Sequence, residues 1–432
     1  MPRGPLLLAL LALVGLLTVA CEQAPGEQPP PEEPEEVEVG VAAPDDVDGA
    51  DLLRVGLLNP ATGPFAALGE DVDDGFLLYL DEAGGELGGF AVEVLIEDEA
   101  NDPELAAERA AELAEGGGID IAIGFVNSRV AYEAASVFAS AGVPLLITVA
   151  GADDLTQRDA DPSVFRLSYT SSQDAMPLGA YACEEFGYET VSVVALDYAF
   201  GWEAAGGFAR AYTDAGCEVV DERYVPLDEQ DWVPFLQELD DGADAVWAAA
   251  AGPDAIRLLQ AYEDVGIGLP LIGHGALTDE EVLAQQQALA DGVVTSLHFA
   301  ATLDTPEARA FVEAFEEGHG RPASRAAEAG YAAAMVVEEA LAGHEQVSRA
   351  RLIHSLGDVD VVAPRGRLRF DEFGQAVHDV HVREVTATPE GWQNTIVETF
   401  EDVSQFWRYD PEEYLELPRY EELLGTWQHG GP

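Results

Sequence analysis

From Leu52 onward the sequence repeats one unit: a short apolar run, a loop rich in small residues, then a stretch with helical periodicity. Apolar runs at 53–58, 91–96, 119–123 and 144–148 alternate with helical stretches near 70–83, 104–115 and 129–141. After the bridging segment VFRLSYTSSQD (164–174) the series restarts. Its second set has runs at 191–196, 218–224, 245–249, 270–273 and 293–297, with helical stretches near 174–186, 202–215, 231–239, 253–265 and 279–289. Few folds accept such a pattern. A strand followed by a covering helix returns to its sheet as a parallel neighbour. The expected class is therefore α/β: two doubly wound, Rossmann-like parallel-sheet lobes joined by a hinge, with a ligand cleft between them.

Beyond His298 come helical patterns at 306–318 and 323–342, then a hairpin pattern at 365–370 and 377–385 around Glu372, Phe373 and Gly374. A segment that follows the second set is expected to return to the first lobe. The predicted division is 52–168 with 299–356 as lobe one, 169–298 with 357–390 as lobe two, and 391–432 as a C-terminal extension. Several crossings between lobes make a hinge, which suits binding by closure.

The amino terminus reads as an export signal. One Arg precedes an apolar run from Leu6 to Ala20, 15 residues long. That is short of the ~20 residues a spanning helix needs and suits a signal-peptide core. Ala20 followed by Cys21 resembles the bacterial lipobox, with Leu17 one position further from the Cys than usual. This predicts a lipoprotein signal segment over 1–21, cleaved before Cys21, with the lipid anchor on that Cys. Residues 22–51 carry 11 acidic and no basic residues and are rich in Pro, which predicts a disordered tether.

Charge excludes some partners. The chain has 82 acidic against 20 basic residues, a formal −62, and every basic residue is Arg. Such a field repels nucleic acid and anionic membrane surfaces. An acidic surface without Lys suits high salt, where self-repulsion is screened. An ordinary acidic exported protein from a GC-rich genome would share the Arg preference, and the sequence leaves both open.

The loop in LLNPATGPFAALGEDVDDG (57–75) has the layout of a phosphate cradle but lacks a G-K-[ST] ending, and Glu70 and Asp71 stand where a phosphate would sit. Nor is there a nucleophile elbow or a metal-ligand cluster. His378 and His381, three apart in a strand, are expected on opposite faces. In EDEANDPE (97–104), Asp102 before Pro103 fits a helix N-cap, with a cation site as the alternative. Cys183 and Cys217 lie on adjacent predicted elements and form either one disulfide or two free thiols.

In doubly wound sheets ligands bind beyond the carboxyl ends of the strands. The loops there are NPATGPFAALG (59–69), GFVNSR (124–129) and VAGADD (149–154) in the first lobe. The second lobe offers DYAFGW (197–202), AAGPD (250–254) and GHGALTD (273–279). Small residues such as Ala66, Ala150, Ala152 and Gly252 let backbone amides approach a guest. Asn127 and Ser128 offer hydrogen bonds, and Phe65, Tyr198, Phe200 and Trp202 offer apolar walls. For Ser128 the alternative role is helix N-cap, and for the aromatics it is hinge packing.

Taken together, LRVGLLNPATGPFAALGEDVDDGFLLYLDEAGG, EDEANDP, IAIGFVNSRVA, GVPLLIT and VFRLSYTSSQ resemble type I periplasmic binding proteins. The group is the branched-chain amino-acid family of ABC-transporter substrate-binding proteins. DYAFGWEAAGGF, PLIGHGALTD and RGRLRFDEFGQAV are similar to its second lobe, and the resemblance spans roughly 52–387. It implies a non-catalytic, cofactor-free monomer that closes on a small molecule and delivers it to an ABC permease at the outer face of the cytoplasmic membrane. A ligand sensor signalling to a membrane partner is the alternative. Of the family's amino-acid contacts the hydroxyl at Ser128 is kept. Ala152 replaces the usual Thr, and Phe200 stands where the family has Tyr. No acid pairs the ligand ammonium near Gly275, where His274 stands instead; Asp153 or Asp197 would have to replace it. These departures put a neutral or aromatic compound, or an organic acid, beside an amino acid as the guest. The ending DVSQFWRYDPEEYLELPRY (402–420) also resembles an extension found in some of these proteins.

Overall fold

The structure, a computed structural model, describes residues 52–427 except 116, 117, 228 and 390. The expected leader, Cys21 and the acidic tether lie outside the described residues.

Two sheets carry the fold. In the first, five parallel strands lie side by side in the order Phe90–Asp98, Leu52–Asn59, Ile121–Gly124, Leu145–Ile147, Val164–Arg166. The short strand Glu86–Leu87 pairs antiparallel at the edge. In the second sheet the parallel strands run Glu218–Val225, Thr190–Leu196, Ala245–Ala249, Leu271–His274, Val294–Leu297. Counted along the chain, both sets have the order 2-1-3-4-5. The apolar runs form these strands because both faces are covered by helices, so alternation is unnecessary and continuous Val, Ile, Leu and Ala suffice.

Helix ends follow their capping residues. Asp102 accepts from the amides of Glu104 at 2.9 Å and Leu105 at 3.3 Å, and Pro103 opens the helix Pro103–Ala114. That is the cap the sequence predicted. The helices Ala66–Glu82 and Arg325–Leu341 cross where Gly75 meets Ala327 and Gly330 meets Val72. A Cβ on Gly75 would lie 1.9 Å from the Ala327 carbonyl oxygen, and one on Gly330 would lie 2.0 Å from that of Val72. Only bare backbone fits at this crossing. Cys183 and Cys217 are joined by a disulfide between the helix Ala175–Glu184 and the segment entering the strand Glu218–Val225.

The predicted boundaries need two corrections. Residues 357–390 do not all belong to the second lobe. Ala363, Leu368, Phe370 and Ala376 are buried in the same core as Val55 and Leu57 of the first sheet. Val382 and Val385 are buried in the second core. The cause is one long strand, Ala376–Thr388, which pairs with Gly366–Phe370 at its start and with Val294–Leu297 further along. The second correction concerns 391–432. Its first part is a strand, Gly391–Val403, antiparallel to Ala376–Thr388. Its remainder buries Phe406, Tyr414, Tyr420, Leu423 and Trp427 in the second core. The extension is part of the lobe. Val164–Arg166, expected as a bridging segment, is the last strand of the first sheet; three residues are too few to show a period.

Candidate ligand cleft between the lobes

In the strand order 2-1-3-4-5 the switch point falls between strands one and three. There the loops after Leu52–Asn59 and Ile121–Gly124 diverge, and in the second lobe those after Thr190–Leu196 and Ala245–Ala249 do the same. The two switch points face each other. A Cβ on Gly252 of the second lobe would lie 3.6 Å from the Phe65 ring of the first. Between them is a narrow pocket of about 20 Å³. Its first-lobe wall includes Phe65, Leu68, Ser128 and Gly151, and its second-lobe wall Tyr198, Phe200 and Ala251. Tyr169, from the first crossing, and Arg325, at the start of the helix Arg325–Leu341, complete it. Such a volume holds about one water. Any organic guest therefore requires the lobes to part before they close on it.

A cleft of this geometry, at facing switch points of two like sheets, matches a known architecture. The family profile described as periplasmic binding protein matches residues 53–390. The chain belongs to the periplasmic binding protein family. Within it, it is a type I protein of the branched-chain amino-acid group. It is 32% identical over 365 residues to the Leu/Ile/Val-binding protein homolog 6 of Brucella melitensis, covering 82% of this chain and 92% of that one. An ABC transporter substrate-binding protein from Sphaerobacter thermophilus superposes with a TM-score of 0.78 at 33% identity, over 82% of this chain and 99% of that one. So does a solute-binding protein from Rhodopseudomonas palustris BisB5 in complex with 3,4-dihydroxybenzoic acid, with TM-score 0.78, 28% identity and the same coverage. Families of this kind consist of extracytoplasmic solute-binding proteins. Among the described residues no helix is long and apolar enough to cross a membrane.

The binding protein arranges the sequence-predicted residues unevenly. Phe65, Ser128, Tyr198 and Phe200 all line the cleft. Asn127 does not: its Oδ1 accepts from the amide of Arg129 at 2.9 Å, and its Nδ2 donates to Asn101 at 2.8 Å. It caps the helix Ser128–Ala141, and that frees the neighbouring Ser128 for the cleft. Ala150 and Ala152 are buried behind the wall, where their carbonyls accept from Arg166 Nη1 at 3.3 and 2.5 Å. The residue between them, Gly151, faces the cavity. Ala66 begins its helix half-buried, outside the lining, and Gly252 gives its place in the lining to Ala251.

His274 is buried one layer back, its ring 4.8 Å from that of Tyr169 and 5.0 Å from that of Phe200. Its Nδ1 accepts the amide of Ala276 at 3.1 Å, so the ring proton sits on Nε2. Burial drives its pKa down to about 3, and the ring is neutral. It supports two aromatic walls.

Sequence reasoning missed Tyr169, Gly151 and Arg325. Arg325 is 3% exposed and donates through Nη1 to Asp279, an ion pair reaching from the first lobe to the second. Burial opposes the guanidinium charge, but Asp279 outweighs it and holds the pKa above its ordinary value. Arg325 Nε has no hydrogen-bond partner. The acids that would have to replace the missing ammonium partner have other contacts. Asp153 accepts from the amide of Ser172 at 3.2 Å, and Asp197 accepts from Trp202 Nε1 at 2.8 Å. Neither lines the cleft.

Behind Tyr169 three buried side chains meet. Asp174 accepts from the His298 amide at 3.1 Å and its ring Nδ1 at 2.9 Å, with His378 Nε2 at 3.2 Å. His378 and His381, expected on opposite faces of their strand, have different partners: His381 Nδ1 meets Thr399 Oγ1 at 2.9 Å. Three donors satisfy the Asp174 carboxylate, while His298 Nε2 and His378 Nδ1 are buried without a hydrogen-bond partner.

Proposed function

We propose that this protein is the substrate-binding component of an ABC importer and that its guest is a small aromatic monocarboxylate. It carries that guest to a permease without transforming it. One observation carries the choice of guest: among the described residues Arg325 is the charged residue in the cleft lining, and no carboxylate lines it. An α-amino acid would leave its ammonium desolvated without a counter-charge, at a cost of several kcal/mol. Arg325 lines the cleft and keeps a buried Nε without a partner, so it is the group that would receive a carboxylate once the lobes part. Phe65, Tyr169, Tyr198 and Phe200 supply faces for a planar ring. The relative in complex with 3,4-dihydroxybenzoic acid supports the same reading. Cys21, lipidated after cleavage of the signal read in the sequence, would hold the protein at the outer face of the cytoplasmic membrane.

Calorimetry with benzoate, its neutral isostere benzamide, and leucine tests this. A charge-assisted hydrogen bond is worth about 1.5–3 kcal/mol, so benzoate should bind roughly 10- to 150-fold more tightly than benzamide. Leucine should bind weakly or not at all. Micromolar leucine binding with no benzoate binding would overturn the assignment.

A further inference from the structure

The segment 404–427 lies beyond the family match and has contacts that the binding reading does not use. It is fastened to the second lobe. Glu222 accepts the amides of Gly425 and Trp427, both at 3.0 Å. The Arg210 guanidinium sits 5.7, 5.5 and 5.3 Å from the rings of Tyr414, Tyr420 and Trp427. A Cβ on Gly206 would lie 2.0 Å from the Tyr420 ring, so the helix Ala199–Asp214 is bare where that ring docks. Tyr409 adds a hydrogen bond to Asp214 at 2.6 Å.

The same segment then reaches the first lobe. Arg419 pairs with Asp154, and with Asp159 at 3.2 Å. In return Arg158 donates to the carbonyl of Leu417 at 2.8 Å while holding Asp154 at 2.8 Å. Gln405 donates to the carbonyl of Thr156 at 2.9 Å. All these first-lobe partners lie in 154–159, the chain that directly follows the cleft-lining Gly151. Arg419 and Tyr420 share a cavity of about 130 Å³ with Tyr132 and Asp153 of the first lobe and Ala199 and Trp202 of the second. Ala199 and Trp202 belong to the turn that presents Tyr198 and Phe200 to the cleft.

We infer that residues 404–427 form a strap between the lobes, with Arg419 as its grip, which favours the closed cleft and slows release of its guest. A segment anchored on one body and ion-paired to the other keeps those pairs when the bodies are together and loses them when they part. It therefore shifts the open–closed population toward closure by the worth of the pairs. Arg419 is a positioning residue: it touches the 154–159 loop and no part of the cleft.

This inference rests on closure, though not on the choice of guest, and two measurements keep them apart. Small-angle scattering of the ligand-free protein reads the lobe arrangement without any guest. Arg419→Ala should raise the radius of gyration above that of the wild type, and Arg419→Lys should restore most of the difference. Benzoate release, followed by stopped flow, should become roughly 5- to 10-fold faster in Arg419→Ala, because the pairs with Asp154 and Asp159 are lost together. Failure of benzoate to bind the wild type would count against the aromatic guest and leave the scattering arm to decide the strap. Unchanged scattering, together with an unchanged release rate where benzoate binds, would overturn the strap. Arg419 is exposed enough for its replacement to leave folding intact, and an unchanged melting temperature would check that.

Discussion

His274 illustrates how a side chain one layer behind a site sets conditions for it. Its folded pKa of about 3 lies below the ordinary 6.5 because the buried ring resists charge. Proton linkage then has a definite sign: the unfolded chain binds the proton more readily, so the histidine's contribution to stability is full above pH 6.5. It is lost as pH falls from 6.5 toward 3, by about 1.4 kcal/mol per pH unit. Melting curves of wild type and His274→Gln between pH 4 and 7 should therefore converge toward acid, with the variant less acid-sensitive. Parallel curves would show that the ring does not titrate as its burial requires. From sequence, His274 could be placed at a strand end but not in a layer. The same limit explains the exchange between Asn127 and Ser128. Both are good N-cap residues in adjacent positions, and the extended backbone at Asn127, with φ −91° and ψ 127°, decides which one caps. Arg325 was illegible for another reason: it follows no strand, so the rule that sends ligands to strand ends never reaches it.

At the scale of elements, strands and helices were legible wherever an apolar run was long. The runs at 245–249 and the helical stretch at 253–265 coincide with Ala245–Ala249 and Pro253–Val265. What could not be read was which elements touch. Ala66–Glu82 starts beside Phe65 and Arg325–Leu341 starts with Arg325, so their crossing fixes the cleft's apolar wall relative to its cation. The crossing is set by Gly75 and Gly330, each with room for no Cβ. Gly330→Ala should thus do more than remove stability. Pushing the two backbones apart should cost about 1–3 kcal/mol, as overpacking does, and also displace Arg325 from Phe65. A lowered melting temperature accompanied by weaker benzoate binding is the expected outcome. Full affinity in a destabilised protein would mean that the crossing holds the lobe together without tuning the site.

Across the whole molecule, charge is the property that sequence stated most plainly and structure sharpened. Among the described residues, Arg166, Arg210, Arg325, Arg365 and Arg383 are buried and engaged internally. Arg166 and Arg383 bind carbonyls, the latter those of Phe299 at 2.7 Å and Gly275 at 2.9 Å, while Arg365 pairs with Glu328. Their charges do little to offset the acidic exterior of a chain whose formal charge is −62. Self-repulsion of that size opposes compaction and is relieved by counter-ions. The Debye length falls from about 10 Å at 0.1 M salt to about 3 Å at 1 M, so screening acts steeply at first and then saturates. Melting temperature should therefore climb sharply with NaCl up to a few tenths molar and flatten beyond. A general strengthening of apolar burial by salt would instead rise steadily to high concentration. A steady rise from the lowest salt would assign the dependence to burial, and a flat line would show that the acidic surface is spread thinly enough to need no screening. The initial steep phase is the signature of a fold held together against its own charge, and it should be larger in the closed protein, where two acidic lobes are brought face to face.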